Sequence, residues 1–297
     1  MLIVIPQSLL LYDRNICVLL SFYGDPMTYI CSSFCSFYRG EEFIRGYLEN
    51  MLQQTLFDQI EFIFLDCNSP DNEAQYILPL AEKFSNVRYI RLDKDPGLYA
   101  AWNIAVSLCS ADIIGNWNID DRKSPDSFEI LISALNSSPE VDLVYGLLYV
   151  STIANAGFET DHEPFVFIDS SVESVRNSCG IAQDFGPMYV SRDSLHVVLE
   201  HTNDRLLAVN SPHCMPLWRK SLHDKFGYFD KNYFSAGDAE LWLRACSMGA
   251  QMKLVAQCIG VYYQNPLGRS TSLINLDRCL KEVVDMRQQY TEIFAQI

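Results

Sequence analysis

The sequence is poor in basic residues and lacks the short signatures of several large protein classes. Lysine and arginine number 22 against 37 aspartates and glutamates, which gives a formal net charge of -15. Binding to nucleic acid or to an anionic membrane surface needs a basic stripe, so the charge argues against both. No G-x-G-x-x-G follows the first predicted strand, and neither G-x-x-x-x-G-K-[ST] nor G-x-S-x-G occurs. These absences argue against dehydrogenases, P-loop proteins and enzymes with a serine elbow.

Paired cysteines and long apolar runs are also missing. The ten cysteines are scattered through apolar stretches and form no C-x-x-C pair, which is typical of reduced, buried cysteines in a cytosolic protein. The first residues have no basic region, and Asp13 and Arg14 interrupt the apolar residues there. A spanning helix needs about 20 apolar residues, so we expect neither a signal peptide nor a spanning helix, and a cytoplasmic location.

The order of apolar and polar segments predicts one α/β domain. With 297 residues, 49% of them hydrophobic, the chain can bury a large core. Strands and helices are expected to alternate: strands over 28–34, 60–66, 87–91, 113–117 and 143–150, helices over 41–54, 72–84, 98–109 and 125–135. This alternation predicts a mostly parallel central sheet flanked by helices.

The remaining segments are less regular. Residues 1–26 are interpreted as an N-terminal extension, and residues 27–270 as the domain itself. Residues 151–215 lose the alternation, which in a compact domain is typical of functional loops. A helix is expected over 238–248 and one or two strands over 253–263. Residues 271–297 are expected to form an amphipathic helix packed on the domain.

Three groups of acidic residues stand at expected ends of strands and helices. Asp66 ends one strand, Asp120 and Asp121 follow another, and Asp238 and Glu240 begin a helix. Ligands of open α/β sheets bind beyond the carboxyl ends of the strands, and carboxylates suit a hard divalent cation that bridges phosphates. Each group also has an ordinary structural explanation, because aspartate is common in turns and at helix starts.

Five segments in order resemble the motifs of family 2 glycosyltransferases. The opening segment is CSFYRG at residues 35–40 with the following helix, and FLDCNSPD at 64–71 stands in the place of the D-D-G-S segment. PGLYAAWN at 96–103 is similar to G-L-S-x-A-R-N, and NIDD at 118–121 to the D-x-D metal motif. GDAELWLR at 237–244 is similar to E-D-x-D-x-x-x-R. The resemblance spans about residues 28–255 and implies a single α/β domain of GT-A type.

Four of the chain's departures from these motifs bear on its activity. Cys67 replaces the second acid of D-D-G-S, and Trp102 replaces the arginine of A-R-N. Asn118 replaces the first acid of D-x-D, and Gly237 replaces the glutamate before the expected base. Because the last acid of D-x-D is retained as Asp120, we expect an active enzyme.

The resemblance also implies roles for individual residues. Asp120 would hold Mn²⁺ or Mg²⁺ on the pyrophosphate of a nucleoside-diphosphate sugar, where the metal acts as a Lewis acid. Asp66 would accept the imide N–H of a uracil or thymine base, which favours a UDP- or dTDP-sugar donor. The rest of the donor site is expected to comprise Ser36, Phe37, Tyr38, Asn103, Asn118 and Asp121.

Asp238 occupies the position of the general base, which would take the proton of an acceptor hydroxyl and lead to inversion at the anomeric carbon. An acceptor wall is expected from His213 and Trp218, and Glu240 is placed with the acceptor residues as a weaker candidate for the base than Asp238. The acceptor would be a glycan or glycoconjugate, as in polysaccharide biosynthesis. A lipid-linked acceptor would bring the protein to a membrane surface.

Two other functions remain open. A sugar nucleotidyltransferase shares the fold type and needs a metal, but it requires a glycine-rich basic loop after the first strand, where only Arg39 and Gly40 occur. An inactive sugar-nucleotide-binding relic is the second alternative, suggested by Cys67, Asn118 and Gly237.

Overall fold

The computed structural model describes residues 28–151, 153–158, 212, 214–263 and 275–296. The predicted extension at 1–26, most of the segment 151–215 and His213 therefore lie outside the described residues. The described part holds one eight-stranded sheet in the order β3-β2-β1-β4-β7-β6-β8-β5. Among these residues no helix is long and apolar enough to cross a membrane.

The first half of the domain follows the expected alternation. Its strands are β1 (Cys31–Phe37), β2 (Ile60–Asp66), β3 (Val87–Arg91) and β4 (Ile113–Asn116), and its helices are α1 (Glu41–Leu52), α2 (Ala74–Lys83) and α3 (Leu98–Leu108). A short 3-10 helix, Phe57–Gln59, precedes β2. β1 lies between β2 and β4 and is parallel to both, and β3 extends the sheet beside β2. The first strand begins three residues later than expected, because residues 28–30 precede the ladder.

The second half of the sheet is mixed. Its strands are β5 (Arg122–Lys123), β6 (Leu143–Ser151), β7 (Leu217–Arg219) and β8 (Met252–Tyr263). β7 is antiparallel to both β4 and β6, whereas β8 is parallel to β6 and antiparallel to β5. The helices of this half are α4 (Ser127–Asn136), α5 (Leu222–Phe226), α6 (Gly237–Ser247) and α7 (Leu276–Phe294). The predicted α/β domain with a flanked central sheet is confirmed, and the antiparallel pairs of the described part all involve the short strands β5 and β7.

Two hydrophobic clusters cover the two faces of the sheet. Successive side chains of a strand point to opposite faces, and Ile63 and Leu65 of β2 belong to one cluster while Phe62 and Phe64 belong to the other. The first cluster packs under α3, α6 and α7, and the second under α1, α2 and α4. These layers hold the carboxyl ends of the parallel strands in a fixed position.

The C-terminal helix α7 is attached to the domain by polar contacts as well as apolar ones. Met286 and Tyr290 are buried against the first cluster. The Glu282 carboxylate accepts hydrogen bonds from the backbone N–H groups of Phe234 and Ser235, at 2.7 and 3.0 Å. These two residues lie directly before α6, so α7 helps to fix where α6 begins.

Candidate active site

Three of the predicted site segments meet at one edge of the sheet. In the ladder between β1 and β2, Phe37 lies opposite Asp66. On the other side of β1, Phe34 pairs with Asn116 at the end of β4, and the NIDD segment follows one residue later. The carboxyl ends of β2, β1 and β4 therefore place Asp66, Ser36 and the segment 118–121 side by side, where ligands of such sheets bind.

Asp66 orders the turn that follows β2. Its side chain is fully buried. Oδ1 accepts the backbone N–H of Ser69 at 2.7 Å, and Oδ2 accepts the Tyr89 hydroxyl at 2.6 Å and the Arg91 guanidinium. Arg91 continues to Asn68, which adopts a positive φ of 60° in the same turn. The turn-forming role of Asp66 is thus visible, while its contact with a nucleotide base stays a prediction.

The three predicted donor-site residues at the end of β1 differ in how exposed their side chains are. Ser36 is partly exposed, and its hydroxyl accepts the indole N–H of Trp102 at 3.1 Å. Phe37 is buried in the second cluster, so only its backbone faces the edge. Tyr38 is 49% exposed, with the Arg39 guanidinium 5.7 Å from its ring centroid. Ser36 and Tyr38 are therefore the side chains of this strand end that a ligand can reach.

Asn103 joins two parts of the protein. Its side-chain amide donates to the carbonyl of Phe229 at 2.8 Å and accepts the N–H of the same residue at 3.0 Å. This pair of bonds fixes the loop that leads to α6 on the first turns of α3. The described contacts of Asn103 are thus structural, and its predicted contact with the donor stays a prediction.

The segment 118–121 forms a turn in which the two aspartates differ. Asp121 is fully buried, and its carboxylate accepts the N–H of Tyr263 at 3.0 Å and the amide of Asn118 at 3.1 Å. Asp120 is partly exposed at the same edge. Asp121 and Asn118 therefore brace the turn, and Asp120 is the more exposed of the two aspartates.

Arg122, which the sequence motifs did not indicate, holds this turn through hydrogen bonds to its backbone. Its guanidinium donates to the carbonyls of Ile119 and Asp121, at 3.1 and 2.7 Å, and to Phe43 on α1 at 3.1 Å. It also contacts Asn155. Burial lowers the pKa of Arg122, while Asp121 and Asp120 raise it. A basic residue directly after an acidic pair is the signal that would have identified it.

Lys123 is a buried lysine beside this turn. Its Nζ lies 4.8 Å from the Phe128 ring centroid and 5.7 Å from that of Trp117. Within the described part of the chain it has no hydrogen-bond partner. Burial lowers the pKa of Lys123 to about 8.

Lys123→Met is expected to stabilise the protein by about 1–3 kcal/mol below pH 8, because a charged group in an apolar site opposes folding. The unfolded chain keeps the proton up to a higher pH than the folded chain. The penalty is therefore full below about pH 8 and disappears as the pH approaches the ordinary lysine pKa. Denaturant unfolding of both proteins between pH 7 and pH 10.5 measures this difference. A gain that is the same at both ends of the range would contradict the burial of a charged lysine.

Asp238 is the second residue of α6 and lies away from solvent, at 8% exposure. The residue at the N-cap is Ala236, so Asp238 itself does not occupy the capping position. Its Oδ1 accepts the hydroxyl of Tyr99, the second residue of α3, at 3.0 Å. The N-termini of α3 and α6 thus meet at this carboxylate, and the positive end of a helix favours an anion there.

Glu240 does not share this environment. Its Oε1 accepts Arg244 Nε at 2.9 Å and the Tyr290 hydroxyl at 2.7 Å, and its Oε2 accepts Arg244 Nη2 at 2.8 Å. The expectation of an acceptor residue does not fit, because both oxygens are engaged in a buried network between α6 and α7. Arg244 also donates to the carbonyls of Phe226 and Tyr228, so it serves the fold rather than a phosphate.

The prediction that Trp218 lines an acceptor wall is wrong. Trp218 is fully buried in β7, with edge-on contacts to Phe34 at 6.1 Å and Trp242 at 5.4 Å. Its indole N–H donates to Nε2 of His223 at 3.0 Å, and burial lowers the pKa of His223 to about 4, which keeps that ring neutral. An indole enclosed on all sides cannot stack on a sugar. His213, the other predicted wall residue, lies outside the described residues.

The possible metal ligands at this edge of the sheet fit a cation that is bound by both the protein and a substrate. Among the described residues, no three metal-binding side chains converge on one point. Asp120, the more exposed of the two aspartates of this turn, suits Mg²⁺ or Mn²⁺, because such ions commonly take one or two carboxylates and complete their shell with phosphates and water. Burial raises the pKa of Tyr262 on β8, and the negative charges of Asp121, Asp120 and Asp238 raise it further.

An α/β domain with carboxylates at the ends of its parallel strands is the architecture of GT-A glycosyltransferases, and solved structures agree with this class. Residues 1–349 of S. aureus TarS in complex with UDP-GlcNAc match with a TM-score of 0.62 and 14% identity, over 90% of this chain and 70% of that one. The mannosyltransferase PcManGT from Pyrobaculum calidifontis, in complex with GDP-Man and Mn²⁺, matches with a TM-score of 0.56 and 15% identity, over 92% and 66%. At these identities the likeness shows the fold.

The family follows from the sequence match. Residues 34–224 match the family model Glycosyl transferase family 2, which is more than half of the chain. The protein therefore belongs to glycosyl transferase family 2 and is a glycosyltransferase. No curated protein matches the chain. The predicted resemblance and the predicted enzyme class are both confirmed.

Proposed function

We propose that the protein is a metal-dependent, inverting glycosyltransferase that moves a sugar from a nucleoside-diphosphate sugar to a hydroxyl of a glycan or glycoconjugate. The observation that carries this proposal is the placement of two carboxylates with different surroundings. Asp120 is presented at the end of β4. Asp238 is largely enclosed at the start of α6 and held by Tyr99. The more exposed carboxylate suits a cation, and the enclosed carboxylate suits the uptake of a proton.

Asp120 is the residue that would hold the cation. When bound, Mn²⁺ or Mg²⁺ supplies positive charge to the leaving diphosphate. This charge would add to a site where two of the described basic residues are engaged elsewhere: Arg122 binds backbone carbonyls, and Arg91 binds Asp66 and its turn. PcManGT, which has the same fold, was solved with GDP-Man and Mn²⁺, which supports the assignment.

Asp238 is the residue that would activate the acceptor. A sugar hydroxyl becomes a competent nucleophile when a carboxylate within hydrogen-bond reach takes its proton. Attack assisted by one base, opposite the leaving diphosphate, inverts the anomeric carbon. An α-linked donor would thus give a β-linked product. The low solvent exposure of Asp238 favours transfer over hydrolysis, because water is kept from the base.

The donor is expected to lie across the ends of β2, β1 and β4, with Ser36 and Tyr38 next to the nucleoside. The TarS structure contains UDP-GlcNAc and the PcManGT structure GDP-Man, so the shared fold accommodates both uridine and guanosine donors. A UDP- or dTDP-type donor would place its base beside Asp66, whose side chain accepts hydrogen bonds from Ser69, Tyr89 and Arg91.

A panel of sugar nucleotides in a thermal-shift assay tests donor binding. A ligand at 100 times its Kd stabilises the folded state by about 2.7 kcal/mol, which raises the Tm of a domain of this size by about 5 °C. We expect at least one UDP-, dTDP- or GDP-sugar to produce such a shift with Mn²⁺, and a much smaller one with excess chelator. Equal shifts with and without the chelator would contradict metal dependence, and no shift with any donor would contradict the proposed function.

A further inference from the structure

Tyr99 and Gly237 occupy complementary space at the start of α6. A Cβ atom placed on Gly237 would lie 2.7 Å from both Cδ2 and Cε2 of the Tyr99 ring. The ring has little freedom to move away, since Tyr99 is 2% exposed. It stacks on Phe229 at 5.9 Å and meets Trp102 edge-on at 5.5 Å. Glycine at 237 is therefore the residue that lets the Tyr99 ring reach the helix start.

The Tyr99 hydroxyl has one partner that matters for chemistry. It donates to Oδ1 of Asp238 at 3.0 Å across a buried contact. Burial and the Asp238 carboxylate raise the pKa of Tyr99 well above its ordinary value, although the backbone amides of Asp238 and Gly237 oppose the shift. Tyr99 therefore keeps its proton throughout the ordinary pH range and acts as a hydrogen-bond donor to Asp238.

Both residues also differ from the motifs that their segments resemble. The segment that resembles G-L-S-x-A-R-N has Tyr99 where the motif has serine, and the segment that resembles E-D-x-D has Gly237 where the motif has glutamate. In the structure these distant departures touch each other beside Asp238. Relative to the motifs, the side chain missing at position 237 and the phenol present at position 99 therefore belong to the same small region of the structure.

We propose that Tyr99 is the positioning residue of Asp238 and that Gly237 is required to admit it. The phenol holds the carboxylate in one orientation and favours its ionised form, in which it can accept the proton of the acceptor hydroxyl. This inference rests on the proposed function, in which Asp238 is the general base. It explains how the site keeps an oriented base without the glutamate of the motif.

Tyr99→Phe removes the hydroxyl and keeps the ring. We expect the acid limb of the pH profile of kcat/KM for the acceptor to move to higher pH by about half a unit to one unit. At low pH the rate should fall about 3–10-fold, which is the same shift expressed as a ratio. Donor affinity should be unchanged. The readout is an acceptor-dependent pH profile for both proteins, with donor binding measured in parallel by calorimetry.

Tyr290→Phe is the matched control, because it removes a phenol donated at 2.7 Å to Glu240, a carboxylate on the same helix. It should leave the pH profile in place, whatever its effect on Tm. If Tyr290→Phe and Tyr99→Phe move the profile equally, the effect is a general loosening of α6, and the role assigned to Tyr99 is wrong.

A double-mutant cycle tests the steric half of the proposal. Gly237→Ala should lower kcat and Tm in the parent, because the new methyl group meets the Tyr99 ring. The same substitution should have little effect in a Tyr99→Ser background, where the ring is gone. Additive effects would contradict the shared space. The cycle is read by Tm, so it remains decisive for variants with no measurable transfer.

The failure of this inference can be separated from the failure of the proposed function. If Asp238→Asn turned over at the normal rate, Asp238 would not be the general base, and the proposed function would lose that residue. Asp238→Asn without turnover, combined with a Tyr99→Phe profile that coincides with the parent, would leave the base intact and overturn only the positioning role.

Discussion

Asp238→Asn is expected to lower the transfer rate by about 10²–10⁴-fold and to leave donor binding intact, because an amide cannot take the acceptor proton. The substitution is nearly isosteric and still accepts a hydrogen bond from Tyr99, which lies 3.0 Å from Oδ1. Steady-state transfer kinetics and calorimetry with the nucleoside diphosphate measure the two effects separately. A variant that turns over at the parent rate would rule out Asp238 as the base.

Glu240→Gln is the control on the same helix. Glu240 bridges Arg244 and Tyr290 within the fold, so its amide variant should lower Tm. The rate per folded molecule should change far less than in Asp238→Asn. A larger kinetic loss in Glu240→Gln than in Asp238→Asn would exchange the roles that the structure supports for these two carboxylates.

Asp120→Ala is expected to abolish the cation-dependent part of nucleoside-diphosphate binding, because it removes the carboxylate proposed to hold the metal at the end of β4. The fold should persist, since Asp121, Asn118 and Arg122 hold the turn through other contacts. Titration of UDP and GDP with Mn²⁺ and with excess chelator, by calorimetry, measures the effect. Parent-like affinity of Asp120→Ala with Mn²⁺ would show that the metal is held elsewhere.

Asp126→Ala provides the charge control for this experiment. Asp126 is an exposed aspartate six residues further along the chain, and its side chain makes no capping bond to α4. Its removal changes the net charge by the same amount as Asp120→Ala. If both variants lose the cation dependence equally, the effect is one of overall charge in a protein with a net charge of -15 rather than of metal ligation.

Much of the fold could be predicted because the first half repeats long, regular elements. The strand Ile60–Asp66 and the strand Val87–Arg91 have the expected bounds. The short strands Arg122–Lys123 and Leu217–Arg219 were missed, since two or three residues show no period. Their antiparallel pairing makes the second half of the sheet mixed, which depends on contacts between distant segments.

The roles of site residues were harder to predict where they depend on whether the side chain is buried. The sequence predicts Trp218 in an acceptor wall, but a core tryptophan and an exposed one look alike in sequence. Asp238 and Glu240 are two residues apart, yet one meets Tyr99 and the other Arg244 and Tyr290. The contact between Tyr99 and Gly237 could not be predicted, because it joins residues from separate helices.

Phosphorus NMR of the protein mixed with sugar nucleotides and Mn²⁺ tests the central claim most directly. A glycosyltransferase is expected to release the intact nucleoside diphosphate, slowly with water as acceptor and faster when a suitable glycan is added. Asp238→Asn should suppress the acceptor-dependent part. Release of pyrophosphate would instead indicate a sugar nucleotidyltransferase. Unchanged spectra with every donor and acceptor would contradict transfer and favour a binding protein without activity.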